Sequence, residues 1–415
     1  MLNQQGMLSP YRALDLTDEK GLLCGKILGD LGADVIKVER PGGDQARDIG
    51  PFYHDENDPE KSLFWFAYNA SKRGITLNLE TAEGREIFKK LVKNADFVIE
   101  SFPPGYMEDL GLGYDALEKT NPALIMVSIT PFGKTGPYKD YKISDIVAWG
   151  MGGYMYTVGD PSRGPARISH HSQAYLHAGG RAAVGALLAL YHREMTGEGQ
   201  QVDVTVQEAV AAVSIFHTPY WDMLKTNSLW SGEISGNVHR MRQVWPCKDG
   251  YVVYSYWGGS EGMRRSRPLI EWMESEGMAD EFLRTFDWSK FNTGKASPET
   301  IERIEAPTLR FFMSHTKAEL LEGAVKFRSM LYPVSTAKDI AESPQLAFRE
   351  FWRDVEHPEL GATVKYPGGF AHSSGPSPGI SRRAPLIGEH NSDVYQGELG
   401  ISAKELLLLS QGGVI

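Results

Sequence analysis

LDLTDEKGLLCGKILGDLGADVIKVERPGGD, residues 14–44, sets the fold of the chain. Apolar residues recur in it at helical spacing: Leu22, Leu23, Ile27, Leu28 and Leu31. Gly32 then stops the helix, and VIKV at residues 35–38 has the character of a short buried strand. Residues 82–94 and 97–100 repeat this order of helix and strand. The alternation predicts an α/β fold whose parallel sheet carries helices on both faces.

Length and composition limit the classes of protein to consider. A chain of 415 residues favours two domains over one. The formal net charge of -10 argues against a nucleic-acid partner and against an anionic membrane. The two cysteines, Cys24 and Cys247, exclude a disulfide framework and suit a reducing compartment. Because the N-terminal residues lack a signal-peptide pattern and no apolar run reaches the roughly 20 residues of a membrane span, we expect a cytoplasmic protein.

A second informative stretch, residues 165–208, contains a long helix followed by a strand. One face of the helix consists of small residues: Ala178, Gly179, Gly180, Ala182, Ala183 and Gly185. Small residues let another backbone or a ligand approach a helix closely, although each glycine costs about 1 kcal/mol of helix stability. A turn at residues 196–200 then leads into alternating valines at 202, 204 and 206, which predict a strand.

Ordered motifs along the chain resemble those of the class III CoA-transferase family. They are LGDLGADVIKVERPGGD (28–44), NASKRGITLNL (69–79), ESFPPG (100–105), SITPFGKTGPY (128–138), TGEGQQVDV (196–204) and PLIGEHN (385–391). The resemblance implies a Rossmann-like large domain with a parallel sheet, formed by residues 1–220 and completed by a return segment at 331–415. It also implies a smaller α+β domain at 225–330 and an interlocked, ring-like dimer. Coenzyme A and acyl-CoA would be substrates, with no permanently bound cofactor.

The family's nucleophile is an aspartate just before the small-residue face, and Tyr175 stands in that register. In the family the carboxylate attacks the thioester and forms a mixed anhydride, a form of covalent catalysis that a phenol cannot reproduce. We therefore predict no catalytic residue in this chain and a paralogous partner subunit that supplies the aspartate. The resemblance favours transfer of CoA between an acyl-CoA such as succinyl-CoA and an acid such as benzylsuccinate, as in anaerobic toluene degradation.

Two other functions stay open at this point. The chain could be a self-sufficient CoA-transferase that uses another carboxylate, such as Asp203 or Glu208. It could also be an acyl-CoA-binding protein without catalytic activity. Assay of the isolated chain separates the first alternative from the silent subunit, and calorimetry with CoA separates a binder from a purely structural chain.

Coenzyme A carries several phosphates, so its site should gather cations and backbone amides. The resemblance places Arg40, Lys72, Arg73 and Lys134 at loop ends where the family binds CoA. It also places Leu77 and Phe102 beside the adenine or pantetheine, with Ser101 at the same strand end. Each cation could instead be an ordinary surface charge, and each apolar residue an ordinary core residue.

Two further features concern a loop and a metal site. Trp257-Gly258-Gly259-Ser260-Glu261-Gly262 is predicted to be a flexible loop. By resemblance, its glycines Gly258, Gly259 and Gly262 belong to a lid that closes over the partner's reacting thioester. The adjacent His170 and His171 have no third ligand at a metal-site spacing, so we predict no metal.

Overall fold

Six parallel strands form the central sheet, in the order β3-β2-β1-β4-β5-β6. The computed structural model describes residues 6–160, 163–168, 172–215, 217–227 and 241–415. The strands are β1 (Arg12–Asp15), β2 (Asp34–Glu39), β3 (Lys72–Thr76), β4 (Phe97–Glu100), β5 (Ile125–Thr130) and β6 (Gln200–Thr205). This strand order is that of doubly wound nucleotide-binding folds. The strand numbers fall from β3 to β1 on one side of the sheet and rise from β4 to β6 on the other. The α/β prediction is therefore confirmed.

Eight helices accompany these strands along the chain. They are α1 (Leu22–Asp30), α2 (Leu63–Asn69), α3 (Ala82–Val92), α4 (Tyr106–Asp109), α5 (Tyr114–Leu117), α6 (Asp145–Met151), α7 (Gln173–Thr196) and α8 (Val206–Ala211). The small face of α7 lies against α1 and β6. A Cβ atom on Gly179 would lie 3.0 Å from Leu23, and one on Gly185 would lie 2.8 Å from Val202. The glycines are therefore needed because side chains of α1 and β6 approach the backbone of α7 closely.

The middle of the chain forms a second, smaller unit, which comprises Gly153–Ile168 and Ser214–Ser343. Its elements are α9 (His217–Leu224), β7 (Val244–Cys247), β8 (Gly250–Val253), α10 (Ser260–Arg265), α11 (Arg267–Ser275), α12 (Glu281–Thr285), α13 (Pro298–Ser314), α14 (Lys317–Phe327), β9 (Tyr332–Pro333) and α15 (Ala337–Ala341). The three strands make an antiparallel sheet in the order β7-β8-β9. Aromatic residues dominate its core, where the rings of Tyr256 and Trp288 stack with centroids 5.0 Å apart.

The last part of the chain returns to the large unit, which comprises Met1–Gly152, Ser169–Val213 and Pro344–Ile415. It contains α16 (Pro344–Phe348), the antiparallel hairpin of β10 (Trp352–His357) and β11 (Ala362–Pro367), a π-helix at Ser392–Glu398, and α17 (Ala403–Gln411).

This return segment covers the edge of the sheet at β3. The backbone N–H of Gly74 donates to Nδ1 of His390 at 3.1 Å, and that of Thr76 donates to Oδ1 of Asn391 at 2.9 Å. The Tyr395 hydroxyl donates to the carbonyl oxygen of Thr76 at 2.6 Å. Side chains thus satisfy backbone groups that a seventh strand would otherwise occupy.

Candidate functional site

A cavity of about 600 Å³ opens at the carboxyl ends of the central strands. Its lining includes Leu16 and Asp18 after β1, Arg40 and Pro41 after β2, Leu77 and Asn78 after β3, and Ser101 and Phe102 after β4. The sequential order of the strands reverses between β1 and β4. Ligands of open α/β sheets bind at this kind of crevice.

Four of the predicted CoA-binding residues, Arg40, Leu77, Ser101 and Phe102, meet in this cavity. Phe102 packs on Tyr106, with ring centroids 4.6 Å apart. The Ser101 hydroxyl donates to Oδ1 of Asp18 at 2.7 Å and accepts the Asp18 backbone N–H at 2.9 Å, which ties the ends of β1 and β4 together. Their contact with CoA stays a prediction.

Lys72 and Arg73 are not part of the cavity, which corrects their predicted role. Lys72 begins β3, and its side chain is fully enclosed. Its Nζ donates to Oδ2 of Asp15 at 2.7 Å, to the Leu22 carbonyl at 2.9 Å and to Oδ1 of Asn69 at 2.9 Å. A lysine with three protein acceptors and no exposed surface cannot reach a phosphate.

Arg73 lies near the amino ends of the central strands, and the cavity opens at their carboxyl ends. Its guanidinium donates to Asp34, at the start of β2, and to Glu398. The cavity lies at the carboxyl ends of the same strands, so Arg73 faces away from it. The Lys-Arg pair resembles a basic loop in the sequence, but both residues lie in a strand with acidic partners.

Lys134 lies in a different cavity, of about 550 Å³, together with Glu108 and Asp203. Its Nζ donates to Oε1 of Glu108 at 2.7 Å, and its backbone N–H donates to Oδ2 of Asp203 at 3.0 Å. Glu208 lies in the first turn of α8. Neither Asp203 nor Glu208, the alternative nucleophiles considered above, lines the cavity that holds Arg40.

Two acidic residues that line the cavity with Arg40 form ion pairs with cations behind the cavity wall. The sequence did not reveal this feature. Glu39 accepts two hydrogen bonds from Arg47, at 2.7 and 2.8 Å, and Asp44 accepts one from Lys37 at 3.1 Å. The Arg47 guanidinium also lies 3.8 Å from the centroid of the Trp65 ring. Among the described lining residues, Arg40 is the cation that faces solvent.

Tyr175 lies in the first turn of α7 with only 3% of its surface exposed. Its hydroxyl makes no hydrogen bond within the described part of the chain. Burial raises the pKa of Tyr175 well above its usual range, and the nearby carboxylates of Glu19, Asp18 and Asp145 raise it further. The phenol is therefore neutral at physiological pH and is not a nucleophile.

The carboxylates around Tyr175 come from two separate parts of the sequence. Asp18 also lines the cavity. Burial, followed by the charge of Asp18, raises the pKa of Glu19. Asp145, at the start of α6, accepts the backbone N–H of Ala174 at 2.8 Å and thereby caps α7. Sequence reasoning missed this cluster because Asp145 is far along the chain from Asp18 and Glu19.

The glycines of the predicted lid loop have separate structural roles. A Cβ atom on Gly258 would lie 1.9 Å from the carbonyl oxygen of Phe291, and one on Gly262 would lie 2.5 Å from that of Trp288. Gly259 has open space around it, but its φ of 66° and ψ of -150° are accessible almost only to glycine. The loop prediction is wrong for Ser260 to Gly262, which begin helix α10.

The described residues contain no group of three or more His, Cys, Asp or Glu side chains arranged to hold a metal ion. His170 and His171 lie outside the described residues. None of the described helices is long and apolar enough to cross a membrane.

Comparisons with known proteins agree with the motifs. A sequence model described as CoA-transferase family III matches residues 8–391. The chain is 36% identical to the succinyl-CoA:(R)-benzylsuccinate CoA-transferase subunit BbsE of Thauera aromatica, over 98% of each chain. It is 30% identical to the succinyl-CoA–D-citramalate CoA-transferase of Chloroflexus aurantiacus, over 95% of this chain and 94% of that one. A crystal structure of a CaiB/BaiF family protein from Brucella suis superimposes with a TM-score of 0.80 at 27% identity, covering 95% of this chain and all of the other.

Proposed function

The chain belongs to CoA-transferase family III, enzymes that act on CoA thioesters without a permanently bound cofactor, and we propose that it is the non-catalytic subunit of a heteromeric member. A paralogous subunit would carry the nucleophilic aspartate. The similarity to BbsE supports succinyl-CoA as the donor, benzylsuccinate as the acceptor and a role in toluene degradation. We also propose a cytoplasmic location, which suits the two free cysteines, Cys24 and Cys247.

The environment of Tyr175 is the observation that carries this proposal. The phenol is buried and neutral, so it cannot attack a thioester as a carboxylate does. The negative charges of Glu19, Asp18 and Asp145 act on it and raise its pKa. An acceptor acid is itself an anion, and like charges at short range repel. These features support a position that has no nucleophile and a low affinity for the second substrate.

The cavity supports a retained ability to bind CoA. Arg40 offers a guanidinium to a phosphate, while Leu77 and Phe102 offer apolar walls to the adenine or pantetheine. The compensated pairs behind the wall keep Glu39 and Asp44 from acting as free negative charges toward the ligand. We propose that CoA binds here without reacting.

In the complex, we propose that the two kinds of chain interlock and that the small unit covers the partner's aspartate. Closure over a reacting anhydride excludes water and prevents hydrolysis. Gly259 is the loop residue whose conformation most requires glycine while leaving space for movement. This role would make the chain necessary for a reaction that it does not itself catalyse.

The test uses the purified chain with and without a co-expressed sister subunit. We expect isothermal calorimetry to detect CoA binding to the chain alone. We expect transfer from succinyl-CoA to benzylsuccinate only when both subunits are present. Robust transfer by the isolated chain would refute the silent-subunit proposal, and absence of CoA binding would reduce the chain to a structural role.

A second candidate is self-sufficient catalysis by Glu19, favoured by the position of this half-buried carboxylate beside Tyr175. In that case the isolated chain would turn over and Glu19→Gln would abolish the activity. The variants Asp203→Asn and Glu208→Gln serve as controls, because neither residue is among the charges that act on Tyr175. Inactivity of the isolated wild-type chain eliminates this candidate.

A further inference from the structure

The hydroxyl of Tyr175 is a polar group whose hydrogen-bonding capacity the fold leaves unused. Only 3% of the residue is exposed, yet the hydroxyl has no hydrogen-bond partner among the described residues. A buried tyrosine hydroxyl normally finds a partner. Sealed polar atoms without a partner occur elsewhere in the described chain, as at Trp288 Nε1 and Ser329 Oγ, but the Tyr175 oxygen is not one of them. This oxygen therefore keeps contact with solvent, and a ligand atom that replaces solvent there would be its partner.

The surroundings of Tyr175 keep the hydroxyl protonated, so it is available as a hydrogen-bond donor. Burial raises the pKa of Tyr175 well above its usual range, and nearby carboxylates raise it further. A protonated phenol donates one hydrogen bond. The ligand atom that suits this position is therefore an acceptor oxygen.

The charges near the Tyr175 hydroxyl decide which kind of acceptor oxygen it suits. Within the described chain, the charges that act on it are all negative and belong to Glu19, Asp18 and Asp145. Lys20 forms an ion pair with Asp18, but this group of four side chains remains net negative. A carboxylate of a ligand would be repelled here, whereas an uncharged carbonyl oxygen would not.

On the basis of the proposed function, in which the chain keeps a CoA cavity, we propose that the Tyr175 hydroxyl donates a hydrogen bond to the thioester carbonyl oxygen of a bound acyl-CoA. The acidic side chains around it restrict the acyl group to one without a carboxylate. The chain therefore binds a neutral acyl-CoA, such as acetyl-CoA, more tightly than free CoA or succinyl-CoA. A site with this preference does not compete with the partner subunit for its dicarboxylic donor.

Calorimetry with CoA and acetyl-CoA tests the contact, because the two ligands differ only in the thioester group. We expect the wild-type chain to bind acetyl-CoA about threefold to tenfold more tightly than CoA, the worth of one hydrogen bond. Tyr175→Phe should remove this preference and leave the affinity for CoA unchanged. Tyr106→Phe is the matched control: its hydroxyl already donates to Glu80 at 3.5 Å, so the ratio of the two affinities should stay that of the wild type.

The amide oxygens of pantetheine are also uncharged acceptors, and the same measurements exclude them. Both ligands contain these amides. If the Tyr175 hydroxyl bound an amide, Tyr175→Phe would weaken CoA and acetyl-CoA equally. That result would overturn the proposal, and so would equal binding of the two ligands by the wild-type chain.

The selection against a carboxylate in the acyl group has a separate test at pH 8. Glu19→Gln removes one of the negative charges that act on Tyr175. It should increase the affinity for succinyl-CoA relative to acetyl-CoA about fivefold, the size of one screened contact between two charges. Asp203→Asn removes a carboxylate that is not among those charges and should leave the ratio unchanged. An unchanged ratio in Glu19→Gln would refute the selection.

Infrared spectroscopy of bound acetyl-CoA, labelled with ¹³C at the thioester carbonyl, observes the hydrogen bond directly. Hydrogen bonding lowers the stretching frequency of a carbonyl group, so the frequency should be lower in the wild-type chain than in Tyr175→Phe. Equal frequencies would contradict the proposal. Failure of the proposed function is a different result, since transfer by the isolated chain refutes the silent subunit. CoA binding without a preference for acetyl-CoA refutes only this inference.

Discussion

The Nζ atom of Lys72 lies 2.7 Å from Oδ2 of Asp15, and both side chains are completely enclosed. Burial alone would raise the pKa of Asp15. The charges of Lys72 and Lys37, together with hydrogen bonds from Lys72 and Thr17, hold it below its usual value instead. This ion pair joins β1 to β3 and is fully buried, so Lys72 contributes to folding and not to ligand contact.

Removal of one partner of this ion pair should be strongly destabilising. Lys72→Ala leaves Asp15 buried without its cation, which typically costs about 3–5 kcal/mol in the free energy of unfolding. Lys134→Ala removes a partly exposed pair with Glu108 and should cost about 0–1 kcal/mol. Urea denaturation followed by circular dichroism measures both variants. Equal stability of the two variants would contradict this account.

Substitutions of Tyr175 should separate burial from chemistry. Tyr175→Phe should change the unfolding free energy by less than about 0.5 kcal/mol, because the hydroxyl has no hydrogen-bond partner among the described residues. Tyr175→Asp should cost at least about 2 kcal/mol, since it adds a buried charge beside Asp18, Glu19 and Asp145. It should produce little transferase activity in the isolated chain. Substantial turnover by Tyr175→Asp would show that the surrounding groups are already arranged for catalysis.

The two arginines of the CoA prediction should behave differently in binding. Arg40→Ala should weaken CoA binding about tenfold, the loss of roughly 1.4 kcal/mol from a charged contact to phosphate. The wild-type affinity should also fall as salt screens that contact. Arg73→Ala should leave the affinity unchanged, because Arg73 pairs with Asp34 and Glu398. Calorimetry at two salt concentrations provides the comparison, and an equal loss in both variants would count against the proposed site.

Glu100 should make stability depend on pH in the neutral range. Burial raises its pKa to about 7, although its hydrogen bonds with Ser128 and with the Phe102 N–H oppose the rise. Because the carboxyl group has a higher pKa in the folded chain than in the unfolded chain, its protonated form favours folding. The contribution of Glu100 to the free energy of unfolding is therefore fully present below about pH 4.5 and is lost as the pH rises through about 7.

The corresponding test compares Glu100→Gln with the wild type at pH 5.5 and pH 8. The variant cannot ionise, so its stability relative to the wild type should increase by roughly 2 kcal/mol between these pH values. Gln45→Ala, at another position on the cavity lining, changes no ionisable group; it is the control and should show no such change. A pH-independent difference for Glu100→Gln would mean that the carboxyl does not titrate in this range.

The lid proposal is best tested at Gly259, since larger residues at Gly258 or Gly262 would collide with the small unit itself. Gly259→Ala should cost about 1–3 kcal/mol of local strain. In the assembled enzyme it should lower the transfer rate or increase hydrolysis of acyl-CoA. Gly277→Ala is the matched control, at another positive-φ glycine of the small unit with open surroundings. Unchanged kinetics for Gly259→Ala, with assembly intact, would leave the loop without a role in closure.

Much of the fold could be predicted from local sequence. The helical spacing of residues 22–31 and the apolar run at 35–38 correspond to α1 and β2. Side chains that follow strand ends, such as Arg40 and Phe102, do meet in one cavity, because parallel strands bring their carboxyl ends to one edge.

The remaining features depend on contacts between distant residues. Lys72 and Arg73 are cations in the sequence, but their environment is set by Asp15 and Asp34, which only the folded sheet brings to them. The cluster at Tyr175 joins Glu19 to Asp145 in the same way. Local patterns predict where an element ends; they do not predict which charge a buried side chain will meet.

The covered edge of β3 has a consequence for biosynthesis. Gly74 receives its partner from His390, 316 residues later in the chain. At a translation rate of about 5–20 residues per second, the growing polypeptide waits roughly 15–60 s before that partner emerges. An uncovered strand edge can pair with other chains during this interval. Nascent chains of this protein should therefore be dependent on ribosome-associated chaperones until the second half of the message has been translated.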